Sequence, residues 1–218
     1  MKKILFALVT LVLCLTKGHA QWKINIVAGP QVANFGGSDK KDWGGTLSDP
    51  DLVFRFHGGV MVDKTLSEKI SLSTGLIFSS KGADYSGGQY DASSQFFTYS
   101  YTTKLSYLDL PIIINYSLSK KWSIGLGPQL SFLLDATVKN DDATQRVFGL
   151  PETQDVKDYY NGLDAGLNAG VTYHLNDIMS LQLFYQAGLL KIGEEQGAAD
   201  KAAVTNQVIK LAFSYTIH

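Results

Sequence analysis

One cysteine, Cys14, is all that 218 residues carry, and it sits within the first twenty. That stretch has the three parts of a secretory signal peptide. Lys2 and Lys3 form a basic start, Ile4 to Leu15 an apolar run, and Gly18-His19-Ala20 a small-x-small site before Gln21. Cleavage there divides the chain into a leader, 1–20, and a mature domain, 21–218. The apolar run is too short to cross about 30 Å of hydrocarbon as an anchor. With Cys14 removed, disulfides and thiol catalysis are excluded. Cleavage also takes Lys2, Lys3 and Lys17 from 19 basic residues, leaving the 20 acidic ones in excess by four.

Other absences narrow the function classes. After residue 20 no apolar stretch is long enough for a membrane helix. Lysines and arginines form no cluster, which excludes a nucleic-acid partner. There is no HExxH, no paired-cysteine metal site and no nucleophile elbow, so no catalytic residue, cofactor or metal is expected and the chain is read as a non-enzyme. No window carries a helical period.

A period of two is present instead. In Ile70–Phe78, Ile70, Leu72, Leu76 and Phe78 share one face, with Ser71, Ser73 and Gly75 on the other. The same alternation runs through Phe54–Asp63, Trp122–Asp135, Leu163–His174, Leu181–Leu189 and Ile209–Ile217, giving about eight strands with one apolar and one polar face. The connections alternate in length. Segments 36–52, 82–98, 137–157 and 193–205 are long, and 64–68, 118–120 and 176–178 are short. Long loops therefore gather at one end of an eight-stranded antiparallel up-and-down β-barrel, as in outer-membrane barrels.

Alternation alone leaves open which face is outside, since a soluble barrel turns its apolar face inward and a membrane barrel outward. Aromatic placement favours the membrane. Trp22, Trp122, Tyr116, Tyr173 and Tyr215 map to the turn end, where they would form an interface girdle with outer-membrane lipid. Phe54, Phe56, Phe78, Tyr99, Tyr101, Phe132 and Tyr159 map towards the loop end. Arg55, His57, Lys81, Lys104, Asp109, Asp164, His174, Gln182, Gln186 and Lys210 would then point inward. Buried charges need partners, and an eight-stranded interior is just wide enough for side chains to fill. A plugged polar lumen is expected, not a diffusion pore.

Five stretches carry a resemblance: "LIFSSKG" (Leu76–Gly82), "YLDLPIIINY" (Tyr107–Tyr116), "GLGPQLSFLL" (Gly125–Leu134), "DAGLNAGVTY" (Asp164–Tyr173) and "LFYQAGLLKI" (Leu183–Ile192). Each is loose alone, but in this order they resemble the outer-membrane β-barrel family of Bacteroidetes that includes the PorT-type proteins. The resemblance implies an eight-stranded barrel in the outer membrane. It implies little about activity, although some PorT-type members serve protein secretion.

Several constellations have rival readings. Asp164, His174 and His57 suit an acid/base or metal set, but a hydrogen-bonded lumen network is preferred. A serine paired with a histidine would suit a membrane-embedded lipid-modifying enzyme, yet no motif selects one serine. Gly29-Pro30-Gln31 and Gly127-Pro128-Gln129 repeat one motif after a Trp-x-Ile strand opening, read as two walls converging on one solution. Asn140-Asp141-Asp142 could bind calcium, with a solvated loop preferred. In "YLDLPIIINY" the apolar face passes from Leu105 and Tyr107 to Leu108, Leu110, Ile112 and Ile114, which predicts a β-bulge near Tyr107-Leu108. The leading expectation is an outer-membrane barrel whose long loops, above all 36–52 and 137–157, meet an extracellular or envelope protein. The runner-up is a soluble periplasmic, lipocalin-like barrel holding an apolar ligand.

Overall fold

The computed structural model describes residues 22–43, 49–90, 95–193 and 203–217; the expected leader and most of the loop 193–205 lie outside them. Period-two alternation becomes eight long antiparallel strands: β1 (Trp22–Gly36), β2 (Val53–Thr65), β3 (Ile70–Tyr90), β4 (Phe96–Ser117), β5 (Trp122–Asn140), β7 (Leu163–His174), β8 (Met179–Gly188) and β9 (Thr205–Thr216). A three-residue strand, β6 (Thr153–Asp155), adds to the outer end of β5. Each long strand pairs with its neighbour in the chain, and β1 pairs with β9, so the eight close into a ring without a free edge. Tight turns occupy one end. The other end carries the helices α1 (Lys40–Trp43) and α2 (Asp142–Phe148).

The two faces are sorted by polarity, and the apolar one is outside. Ile24, Ile26, Leu76, Ile114, Ile124, Leu126, Leu183 and Leu211 stand exposed on the wall, while Gln31, Ser79, Ser131, Asn168 and Gln186 are buried. A soluble barrel has the inverse arrangement. About 25 cal/mol per Å² of apolar surface favours surrounding this belt with hydrocarbon.

Proline inside these strands follows one rule. The β3–β4 ladder steps from Asp109 to Ile112 across Pro111, and the β1–β9 ladder from Ala28 to Gln31 across Pro30. The β4–β5 ladder steps from Gln129 to Leu126 across Pro128. Each proline, lacking an N–H, interrupts the ladder on one side only. In the repeated Gly-Pro-Gln motif the glycine lets the neighbouring strand approach. A Cβ on Gly29 would lie 1.9 Å from the Leu211 carbonyl oxygen, and one on Gly127 would lie 1.9 Å from that of Ile112. β1 and β5 stand opposite each other in the ring, so Gln31 and Gln129 enter the lumen from facing walls.

The bulge differs from the sequence expectation. The β4–β5 register shifts between Ser106, paired with Asp135, and Tyr107, paired with Leu133. The extra residue is therefore Leu134 on β5, and β4 keeps its alternation throughout. Leu105 and Tyr107 remain on the inner face with Asp109 and are fully buried. Tyr99 and Tyr101 turn inward as well, and Lys104 is exposed on the outer face. The inner face of β4 is apolar towards the loop end because it helps to plug the barrel. Beyond the bulge β5 changes face, which exposes Asp135 and buries Ala136.

Segment 82–98, expected as a loop, is largely strand. Residues 82–90 continue β3 and pair with β4 from Gly82 with Lys104 out to Tyr90 with Phe96. β3 and β4 reach 21 and 22 residues, about twice the 9–11 that a tilted strand needs to cross a bilayer. The hairpin therefore projects beyond the belt at the loop end.

Candidate functional site: the sealed lumen and its outer mouth

The interior is built in layers. In the middle, Lys81 on β3 places its Nζ 3.1 Å from Asp109 Oδ1, 3.8 Å from Asp164 Oδ2 and 3.1 Å from Ser131 Oγ. Lys210 on β9 donates to Asp109 Oδ2 at 3.3 Å and to Gln129 Oε1 at 3.2 Å. Asn206 donates to Asp164 Oδ2 at 2.9 Å, and Asn168 to Gln129 at 3.1 Å. Lys81, Asp109 and Asp164 have no solvent exposure. Two cations and two anions thus offset one another where a lone charge would be prohibitively costly.

Towards the loop end this layer is capped by Phe35, Tyr85, Leu105, Tyr107, Leu133 and Tyr160, all buried in one apolar cluster. Lys81 joins the two layers, its Nζ 4.4 Å from the centre of the Tyr107 ring. Towards the turn end His57 lines a cavity of about 50 Å³ with Val27, Met61, Ile77, Phe184 and Lys210.

Below that cavity a polar vestibule of about 160 Å³ opens among the turns. Asn25 donates to Asp63 at 2.9 Å, Ser73 also donates to Asp63, and Asn115 donates to Ser73 at 2.7 Å. His174 Nε2 lies 2.7 Å from Ser123 Oγ.

The seven sequence-proposed lumen residues therefore divide. Lys81, Asp109, Asp164 and Lys210 meet in one cluster. His57 lies beside it, sharing the small cavity with Lys210. Arg55 lies at the loop end of β2 and donates to the main-chain oxygens of Phe54, at 3.2 Å, and Thr103, at 3.3 Å. His174 belongs to the turn-end vestibule. The trio Asp164, His174 and His57 is accordingly not assembled into one site. Among the described residues no group of three or more His, Cys, Asp or Glu side chains converges as a metal site.

The Asn140-Asp141-Asp142 run is neither a solvated loop nor a convergent ligand set. Asp141 caps α2, accepting from the Thr144 N–H at 2.7 Å through Oδ1, while its Oδ2 accepts from the N–H and hydroxyl of Ser100, both at 2.9 Å. Asn140 is buried and donates to the Pro151 oxygen at 2.8 Å.

The turn-end aromatics stand where register places them. Trp22 pairs with Lys64, whose Nζ lies 5.0 Å over its ring. Trp122 pairs with Tyr173, ring centres 4.7 Å apart. Trp22, Tyr116, Trp122 and Tyr215 are exposed on the outer wall, with Tyr173 half-buried.

Sequence reasoning missed the mouth. At the loop end a cup of about 290 Å³ opens above the apolar plug, lined by Tyr85, Tyr101, Thr103, Gln154, Tyr159 and Tyr160 among others. Its signal was the odd-numbered run Tyr99-Tyr101-Thr103-Leu105-Tyr107, legible once β4 is known to keep its alternation.

A family model described as outer membrane protein beta-barrel domain matches residues 20–193. Among solved structures, Neisserial surface protein A is similar at 13% identity, with a TM-score of 0.51, covering 91% of this chain and 99% of that one. Ail of Yersinia pestis, solved with the heparin analogue sucrose octasulfate, is similar at 12% identity and a TM-score of 0.46, covering 90% and 99%. The Escherichia coli outer membrane protein W is similar at 13% identity and 0.41, covering 91% and 99%. No curated protein matches the chain. At such identities the likeness to Neisserial surface protein A speaks for the fold alone.

Proposed function

The chain belongs to the outer membrane protein beta-barrel domain family, and from that premise we propose a non-enzymatic barrel, exported by cleavage after Ala20, that keeps its lumen closed and turns its loop end outward to engage a partner. The observation that carries this reading is the pairing of an apolar outer wall with a fully buried Lys81–Asp109–Asp164 contact inside. Such a wall belongs in lipid, and such a centre passes no solute.

In this reading Lys81, Asp109, Asp164 and Lys210 are structural. Trp22, Tyr116, Trp122, Tyr173 and Tyr215 anchor the turn end at the inner interface, which directs α2, β6 and the β3–β4 hairpin away from the cell. Ser123 and His174, hydrogen-bonded at 2.7 Å, line the vestibule and not the lipid-facing wall, which argues against lipid modification. Membership of the PorT-type group of Bacteroidetes is proposed on the five ordered stretches from Leu76 to Ile192, and a role in secretion would follow only from that.

Fractionation with site labelling tests the placement. In a Gram-negative host the protein is expected in the outer-membrane fraction. An impermeant maleimide on intact cells should label Glu152→Cys, at the loop end, and spare Lys120→Cys, at a turn. Recovery in the soluble periplasm, or the reverse labelling, overturns the reading.

A further inference from the structure

We propose that the loop-end mouth binds a neutral saccharide, one pyranose ring of which seats against the tyrosine floor. The proposal rests on the reading that this end faces outward, and it adds the ligand class. The cup is preformed. Its floor is the partly exposed ring of Tyr101, backed by the buried Tyr85, the two stacked with ring centres 5.3 Å apart and planes 19° from parallel. Tyr85 is held from both ends, its hydroxyl donating to the Lys40 oxygen at 2.9 Å and its ring 6.3 Å from that of Phe35. Phe35 in turn lies 6.4 Å from Tyr160 on the rim. The same wall continues sideways from Thr103 through Val138 on β5 to Gln154, placed by the pairing of β6 with β5. The rim turn, Lys157–Tyr159, is fixed by bonds from Val156 N–H to the Ala136 oxygen and from Tyr160 N–H to the Lys157 oxygen, both 3.0 Å.

The lining selects the ligand by what it can satisfy. Among the described residues no Asp, Glu, Lys, Arg or His lines the cup, so these residues offer a charged ligand no counter-charge for the hydration it would give up. A purely apolar ligand would desolvate the Gln154 amide and the Thr103 and Tyr159 hydroxyls without replacing their hydrogen bonds to water. What fits is a neutral molecule with an apolar face and a rim of hydroxyls. A pyranose ring has both, its C–H face stacking on an aromatic ring and its hydroxyls reaching the rim. The volume of about 290 Å³ lies at the lower end of small-molecule pockets, about 300 Å³. The floor is sealed by the apolar plug, so the cup receives a ligand from outside and does not conduct it inward.

The test uses the full-length protein, processed and folded in detergent micelles. The probes are methyl glycosides of glucose, galactose, mannose and N-acetylglucosamine. Ligand-observed NMR and tyrosine fluorescence should show saturable binding of at least one, with the ring C–H protons closest to the protein. Tyr101→Ala and Gln154→Ala should each weaken that binding about tenfold or more. Tyr159→Ala, at a half-exposed position where folding is not at stake, should weaken it in the same direction, and Phe54→Ala on the outer wall should leave it unchanged. Heat-modifiable gel migration verifies that each variant is folded. The proposal is overturned when no glycoside saturates, when binding survives both Tyr101→Ala and Tyr159→Ala, or when phenol displaces every glycoside at equal concentration. If Glu152→Cys labels on intact cells while no glycoside binds, the saccharide site falls and the outward placement stands.

Discussion

Lys210 Nζ lies 3.3 Å from Asp109 Oδ2, and the strands that carry them, β9 and β4, face each other across the ring of eight. One ion pair therefore ties opposite walls together through the middle of the lumen. Asp109 also holds Lys81 through its other oxygen, so a single carboxylate serves two buried cations. Replacing a complete buried ion network with apolar groups is often neutral or stabilising, whereas removing one member strands the others. The contribution of Asp109 is best seen as the penalty its absence would impose.

Asp109→Ala leaves Lys81 and Lys210 without their shared partner. The expected loss of stability is about 3–5 kcal/mol, read as a lower urea midpoint in micelles. Lys120→Ala, exposed in a turn, is the control and should fall within about 0.5 kcal/mol of the parent. A midpoint for Asp109→Ala equal to the control would show that the cluster is not what braces the barrel.

Closure is expected to rest on the apolar plug more than on the charges. Phe35, Tyr85, Leu105 and Tyr107 fill the lumen above the ion cluster. Lys210→Ala should therefore remain non-conducting in planar bilayers, like the parent. Stepwise conductance in that variant would place the seal in the charged layer instead.

Gly127→Ala should impair assembly, because its Cβ would meet the Ile112 carbonyl oxygen at 1.9 Å and backbone in a closed ring cannot retreat. Overpacking of this kind costs about 1–3 kcal/mol or more. Gly162→Ala has open space around the new methyl and should refold like the parent. Equal yields of heat-modifiable protein from both would contradict the close approach.

The barrel wall was legible because lipid demands an unbroken apolar face, and residues such as Ile70, Leu76, Ile124 and Leu211 supply it at period two. The ion cluster was legible for the complementary reason: Lys81, Asp109, Asp164 and Lys210 are charges at the inward parity of apolar strands. The plug was not. Leu105 and Tyr107 are as apolar as any lipid-facing residue, so composition could not tell a lumen seal from an outer wall, and the change of face was assigned to β4 when it belongs to Leu134 on β5. The mouth was hidden for a related reason. Polar, glycine-rich segment 82–98 reads as loop, yet it pairs residue by residue into a hairpin, and Gln154 reaches the cup only through a three-residue strand. His57 and His174 share the inward parity with Asp164, but parity says nothing about height along the barrel, and it is height that separates them.

Asp141 fastens the outer helix to the hairpin, and acid should release it. Partial burial pushes its carboxyl up, but hydrogen bonds from Thr144 and Ser100 outweigh that and hold it below the ordinary value of 3.8. A carboxylate depressed in the folded state stabilises above its unfolded value, and that contribution is lost as pH falls through the folded one. Protection of the Thr144 amide against hydrogen exchange should therefore be full at neutral pH and fall only below about pH 4. At neutral pH, Asp141→Ala removes the cap, worth about 1 kcal/mol, and should speed tryptic cleavage after Arg146 about fivefold. Asp141→Asn keeps a cap acceptor but no ionisable group, so its protection should not change across the acid range. Unchanged cleavage in Asp141→Ala would mean that α2 is held by its packing on β4, through Phe148 against Phe97 and Tyr99, and not by the cap.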